Sequence, residues 1–215
     1  NGFPGALVPG PNTTPGAAVL KALLPELAAQ GAQACAMEVS SIGLHQERVA
    51  DLRFDVAVFT NFTRDHLDYH GTMASYAAEK RKLFDMPGLR TAVLNLDDPF
   101  GAELDETLAG RMRVIGYTLE GKVSRGDTLA ARDLSIDGAG IAFTLNGVRC
   151  SAPLIGRFNA ANLLAVIGSL LAGGATLYFT APDAASPVGL SAEVGPGSAS
   201  LGVKPATSMA ICISC

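Results

Sequence analysis

The chain has 215 residues, 48% hydrophobic and only 17% charged, with 24 Gly, no Trp and a positive mean hydropathy. That length carries a hydrophobic core without disulfide staples, and so apolar a composition excludes charge-driven disorder. Sixteen Lys and Arg against twenty Asp and Glu leave a net charge of −4, which excludes a basic footprint for nucleic acid or an anionic membrane.

The amino end, 1–10, has neither the basic start nor the compact apolar stretch of a signal peptide. Asn1 is not an initiator methionine, and the chain is expected to begin inside a longer protein. In chain order, apolar residues at helical spacing predict a helix over 17–30, kinked at Pro25 and stopped near Gly31. The run ACAMEV over 34–39 reads as a short apolar strand in which Cys35 is a reduced, buried thiol. A second strand is predicted over 54–61, a helix opened by Thr72 over 72–85, and a third strand over 91–95. A helix over 97–110 and a strand over 112–117 follow. Strands apolar on both faces and alternating with helices predict an α/β fold, a mostly parallel sheet flanked by helices.

Between 129 and 154 the period changes to two, with Asp137-Gly138 and Asn146-Gly147 as turn signals. That pattern predicts a small β-hairpin or meander insertion. A helix then runs from Gly156-Arg157-Phe158-Asn159 to about Ala172. From Phe158 to Pro182 there is no charged residue, a run long enough to span a bilayer. Its asparagines, its central glycines and the lack of a flanking basic cluster favour a buried helix followed by a loop, with no membrane insertion. Residues 173–215 are rich in Gly, Ala, Ser and Pro without a clear period, and little packed structure is expected there. Cys35, Cys150, Cys212 and Cys215 form no disulfide framework, and a reducing cytoplasm suits them. The Cys212–Cys215 pair has redox or metal spacing, but with no second pair or nearby histidine it is read as chance.

Chemistry in an open α/β sheet collects at the carboxyl ends of strands. Two such ends are unusually polar here. One, Glu38-Val39-Ser40-Ser41 through Gln46-Glu47-Arg48, offers an acid, two hydroxyls and a Gln-x-Arg pair. The other, Arg64-Asp65-His66-Leu67-Asp68-Tyr69-His70-Gly71, packs two acids and two histidines together. Jointly they can supply oxygen and imidazole ligands to a divalent cation. Each residue alone has a plainer role, as a helix cap, a loop histidine or a turn former.

The runs MEVSSIGLHQERV, FTNFTRDHLDYHGTMASYAAEKRKLF and LIGRFNAANLLA, in this order, resemble the central ATP-binding domain of the Mur ligases. The resemblance covers about residues 1–172 and is nearest to the branch that adds the third residue of the peptidoglycan stem peptide. It implies a partial central domain of P-loop-like topology over 1–172, with 173–215 a non-homologous tail, read as aberrant or out-of-frame translation. It also implies that ATP and Mg2+ drive amide formation through an acyl phosphate. The partners implied are UDP-N-acetylmuramoyl-L-alanyl-D-glutamate and a diamino acid, meso-diaminopimelate ahead of L-lysine, in a cytoplasmic enzyme that is monomeric at full length.

By position in these motifs, Glu38 and His66 resemble the magnesium ligands, and Lys80 the lysine carried as a carbamate after reaction with CO2, a third metal ligand. Carbamylation needs a neutral amine, which burial or the nearby cations Arg81 and Lys82 favour. Asn12, Thr13 and Thr14, with Ser40, Gln46 and Arg48, resemble the residues that hold the UDP-muramoyl dipeptide. Asn159 and Asn162 resemble the asparagines on adenine, although Asn159 also suits a helix cap. His70, Asp65 and Asp68 are read as outer residues of the site. The GxxGKT[TS] phosphate loop is absent and is expected upstream of Asn1. A non-catalytic fragment that at most binds the UDP-muramoyl dipeptide is the alternative, as is another Mur step or a folylpolyglutamate synthase-like ligase.

Overall fold

A computed structural model describes residues 1–2 and 8–174, and the backbone of 176–177 and 192–193. The tail beyond Gly174, with Cys212 and Cys215, otherwise lies outside the described residues. The described residues fall into two units, one within 1–92 and one from Val93 onward.

In the first unit, α1 (Ala17–Ala29) holds Pro25 inside it, and Gly31 ends it with φ +96°, a value that favours glycine. Its one buried residue is Leu20, so the apolar spacing forms the helix without burying a full stripe. The strand predicted over 34–39 does not form: 32–40 carries no regular secondary structure, and Cys35 is half-buried. An apolar run predicts burial, whereas a strand also needs a regular ladder of backbone bonds to a neighbouring strand. Ser40 then caps α2 (Ser41–His45), its Oγ accepting from the Gly43 N–H at 3.0 Å.

Strand β1 (Val56–Phe59) is buried throughout. A single turn, α3 (Leu67–His70), leads to α4 (Met73–Arg81), capped by Thr72 Oγ1 accepting from the Ser75 N–H at 3.1 Å and continued by a 3-10 turn at Lys82–Asp85. Tyr76, Leu83 and Phe84 from this stretch are core residues, as are Phe54 and the β1 side chains. The Asp55 carbonyl accepts from the amides of Arg90 and Thr91, both at 3.1 Å, which fixes the start of the next strand.

Strand β2 (Thr91–Asn95) closes the first unit and opens the second. With β3 (Arg113–Thr118) and β4 (Asp127–Ala130) it belongs to a parallel four-stranded sheet ordered β1-β2-β3-β4. The runs in β1, β2 and β3 are apolar without alternation because the sheet is covered on both faces. Between β2 and β3, α5 (Pro99–Leu108) starts where Asp98 Oδ1 accepts from the Phe100 N–H at 2.8 Å, with Pro99 at the first helical position. Leu129, placed by its sequence at the start of the insertion, is in β4 and pairs parallel with Tyr117.

The insertion itself is a three-stranded antiparallel sheet, β5 (Arg132–Asp137), β6 (Gly140–Leu145) and β7 (Val148–Ala152). Burial alternates along β6, as for a sheet with one wet face. Asn146 and Gly147, at φ +49° and +82°, make the two-residue turn that the Asn-Gly signal predicts. The other turn lies one residue later than its Asp-Gly signal, on Gly138-Ala139, because Asp137 pairs with Gly140 and its carboxylate accepts from the Ala139 N–H at 2.8 Å. Helix α6 (Arg157–Ala172) packs on β3, and Gly168 allows close approach, since a Cβ there would stand 2.7 Å from Val93 Cγ1. No helix among the described residues is long and apolar enough to cross a membrane.

Candidate active site

The first unit holds a cavity of about 10 Å3 lined by Glu38, Ser40, Ser41, His66, Tyr76 and Lys80. That is room for about one water or one ion, so the polar groups on its wall face the same small space. Four segments supply them, the run before α2, the start of α2 at Ser41, the loop before α3, and α4, and Glu38, His66 and Lys80 come from three of these. The three proposed metal-site residues are therefore brought together.

Lys80 is 6% exposed, and Tyr76, four residues earlier on the same helix face, lies beneath it with Lys80 Nζ 5.0 Å from the ring centroid. His66 sits in the left-handed region at φ +53°, and its backbone N–H donates to Asp65 Oδ1 at 2.7 Å. Asp65 Oδ2 lies 3.7 Å from His66 Nε2, beyond hydrogen-bond reach, so Asp65 holds the backbone of His66 and not its ring. Burial raises the Glu38 carboxyl above its ordinary value, and Lys80 and His66 pull it part of the way back. Lys82 is held by Glu79, Nζ to Oε2 at 2.7 Å.

The described residues contain no group of three His, Cys, Asp or Glu able to cage a metal ion. Glu38 and His66 remain as a carboxylate and imidazole pair on a cavity of ion size. Such a pair fits Mg2+, which usually takes one or two protein ligands and fills the rest with water and substrate phosphate. An ammonium on Lys80 repels a cation; a carbamate there would attract one.

Beside the cavity, Thr14 is fully buried. Its Oγ1 accepts from the Ser40 N–H at 2.8 Å and lies 3.1 Å from both the Glu38 carbonyl and Ser40 Oγ. Arg48 donates through Nη1 to the Thr14 carbonyl at 2.8 Å, and through Nε and Nη2 to Gln46 Oε1 at 2.9 and 2.6 Å. Gln46 in turn donates to the Tyr69 hydroxyl at 3.2 Å. Thr14, Ser40, Gln46 and Arg48 thus form one connected network, and within it the Thr14 side chain and Ser40 Oγ are occupied internally. Asn12 and Thr13 are exposed.

In the second unit Asn159 lies in the first turn of α6, but Gly156 is the capping residue and makes no side-chain cap bond. The Asn159 amide donates to the Ile155 carbonyl at 2.8 Å, so it ties down the first turn as a donor and not as the acceptor a cap requires. Asn162 is exposed.

Two residues of the site carried no prediction of their own, Tyr76 and Ser41. The Tyr-x-x-x-Lys spacing carried the signal for Tyr76, since i and i+4 share a helix face. For Ser41 the only signal was the doubled serine after Glu38. His45, His66 and His70, all three histidines of the chain, gather with Tyr69 and Tyr76 in one aromatic cluster. Asp68 is exposed.

Residues 2–170 match the family model described as the Mur ligase middle domain. The chain is 48% identical over 181 residues to the UDP-N-acetylmuramoyl-L-alanyl-D-glutamate--2,6-diaminopimelate ligase of Alkalilimnicola ehrlichii, covering 82% of this chain and 36% of that protein. It is 47% identical over 207 residues to the protein of the same name in Pseudomonas aeruginosa, covering 91% of this chain and 41% of the relative. A solved structure of a ligase of that name superposes with a TM-score of 0.63 at 30% identity, over 80% of this chain and 40% of that one. The chain thus spans well under half the length of the relatives it matches. With the parallel sheet, the inserted antiparallel sheet and the middle-domain match over most of its length, the chain belongs to the Mur ligase family.

Proposed function

We propose that this chain is the middle domain of a cytoplasmic, monomeric, ATP-dependent ligase that joins meso-diaminopimelate, in preference to L-lysine, to UDP-N-acetylmuramoyl-L-alanyl-D-glutamate. The observation that carries this reading is the meeting of Glu38, His66 and buried Lys80 on one ion-sized cavity, beside the Thr14–Ser40–Gln46–Arg48 network.

In the reaction, the D-glutamate carboxylate takes the γ-phosphoryl group of ATP, releasing ADP. The amine then attacks the acyl phosphate, loses a proton and expels inorganic phosphate, leaving an amide. Two anions must approach in the first step, so cationic help is needed where charge accumulates. When bound, Mg2+ supplies that neutralisation. Glu38 and His66 would hold it, and Lys80, as a carbamate, would add an oxygen ligand. Carbamylation forms an N–C bond between the neutral form of the Lys80 amine and CO2 with loss of one proton, and the buried Lys80 side chain faces the cavity where the product carboxylate would serve. Arg48, Gln46 and Ser40, with exposed Asn12 and Thr13, would face the phosphates and carboxylates of the nucleotide substrate, Arg48 through the guanidinium protons that its bonds to Thr14 and Gln46 leave uncommitted. Asn159 and Asn162 would meet adenine.

The test is ATP-dependent phosphate release by the relative-length enzyme carrying these residues, with diaminopimelate and with lysine. Lys80→Ala should abolish it, and 13C-labelled bicarbonate should label Lys80 in the wild type. An active Lys80→Ala enzyme refutes the reading. A second reading concerns the 215 residues alone, which contain no Gly-Lys-Thr or Gly-Lys-Ser phosphate loop. By themselves they are a binding module without turnover, and phosphate release above background by this chain refutes that. The domain reading that accompanies both keeps 1–172 in the middle domain and 173–215 outside it. The P. aeruginosa alignment, 91% of this chain, takes in more than 1–172 can supply. Reading the gene in three frames tests the boundary: a family-like continuation in the present frame refutes it.

A further inference from the structure

Behind the cavity a second set of contacts ends on a hydroxyl with capacity to spare. Ser40 Oγ is committed to capping α2 and to Thr14. Ser41, by contrast, is 1% exposed, lines the cavity, and has His70 Nε2 at 2.9 Å. A hydroxyl has one proton and two lone pairs, so the bond to His70 leaves capacity directed elsewhere. His70 is itself held flat: its ring stacks on Tyr76 at 5.3 Å and 17°, the same buried ring that underlies Lys80. Lys80, Tyr76, His70 and Ser41 are therefore linked in one rigid arc that begins and ends on the cavity wall. In a cavity of about 10 Å3, a wall oxygen and the Glu38 and His66 groups reach the same occupant.

We propose that Ser41 is an oxygen ligand for a divalent cation in this cavity, beside Glu38 and His66, and that His70 is its positioning residue. By accepting the Ser41 proton at Nε2, His70 turns the hydroxyl lone pairs toward the cation. This inference rests on the reading of the cavity as the cation site. Mg2+ and Mn2+ favour oxygen donors, and a hydroxyl held by an outer hydrogen bond is a better ligand than a rotating one.

Mn2+ binding to the 215-residue chain, followed by the loss of the free-ion electron paramagnetic resonance signal, tests it. Ser41→Ala should weaken binding roughly tenfold or more, in the range of lost ligand support. His70→Phe, which keeps a ring on Tyr76 but cannot accept the proton, should weaken it similarly, and the double variant should lose no more than the worse single one. Ser41→Cys should shift preference from Mn2+ to Cd2+ and add a thiolate-to-cadmium absorption band beyond that of the wild-type cysteines, a readout that a merely structural role does not move. Thermal unfolding of each variant shows whether the fold is kept. If Glu38→Gln abolishes binding while Ser41→Ala binds as wild type, or Ser41→Cys adds no band, the Ser41 assignment is overturned and the cation site stands. If wild type binds no Mn2+, both fall.

Discussion

Thr14→Val removes one hydroxyl while keeping the side-chain shape, at a position where the sequence suggests a ligand contact and the structure shows a clamp. The Ser40 N–H, 2.8 Å from Thr14 Oγ1, loses its acceptor, and the Glu38 carbonyl and Ser40 Oγ lose a neighbour at 3.1 Å. Stranding a buried donor costs about 1–3 kcal/mol. The added methyl group returns roughly 0.8 kcal/mol of burial at most. A net loss of about 1–2 kcal/mol is expected, read as a lower urea midpoint at unchanged slope. Because Thr14 holds the backbone at both Glu38 and Ser40, Mn2+ affinity should fall with stability. Asn12→Ala and Thr13→Ala, both exposed, should leave stability within about 0.5 kcal/mol while weakening binding of the UDP-muramoyl dipeptide. A Thr14→Val chain with the wild-type midpoint would refute the clamp.

Gly43→Ala places a Cβ 2.9 Å from Thr14 Cβ and Cγ2, and Thr14 is too fully bonded to yield, so overpacking of about 1–3 kcal/mol should exceed the helix gain of about 1 kcal/mol; equal or greater thermal stability counts against it. Asp105, 4% exposed, accepts from Ser124 Oγ at 2.5 Å and the Arg125 N–H at 2.8 Å, and Asp105→Ala should cost roughly 2–3 kcal/mol by urea unfolding, most of it absent if those bonds are weak. Stability should also depend on pH. His70 is held below its ordinary 6.5 chiefly by burial, so the unfolded chain takes up the proton first; its contribution is whole above about 6.5 and declines below. For Glu79, burial pushes upward but bonds from Lys82 and His45 outweigh it, so its contribution is present above 4.5 and lost as pH falls through its lower folded value. Glu38, raised by burial, acts with the opposite sign on acidification. Melting temperature should therefore start to fall near pH 6.5, and the His70→Phe variant should lack that first step; the same slope in both refutes the assignment.

Much of the architecture was legible because it is local. Asn146-Gly147 dictates its turn, Thr72 opens its helix, and the apolar runs Val56–Phe59 and Ala92–Leu94 require a sheet covered on both faces. Where pairing depends on a distant neighbour, the reading was wrong. Residues 34–39 have the composition of a strand but form none, and Leu129 continues the parallel sheet although its local period matches the insertion.

For the site, the sequence by itself determined the chemical inventory: the carboxylate, imidazole and amine of Glu38, His66 and Lys80, and the helical spacing that puts Tyr76 and Lys80 on one face. Only the tertiary structure decided their use, bringing four segments around one ion-sized cavity, turning Thr14 into a backbone clamp, and setting His70 between Tyr76 and Ser41. The reason is physical. Residue type and spacing define which atoms can donate, accept or carry charge. Which of them are satisfied by neighbours, and which still face the cavity, depends on hydrogen bonds and burial created by segments 24 to 34 residues apart in the chain.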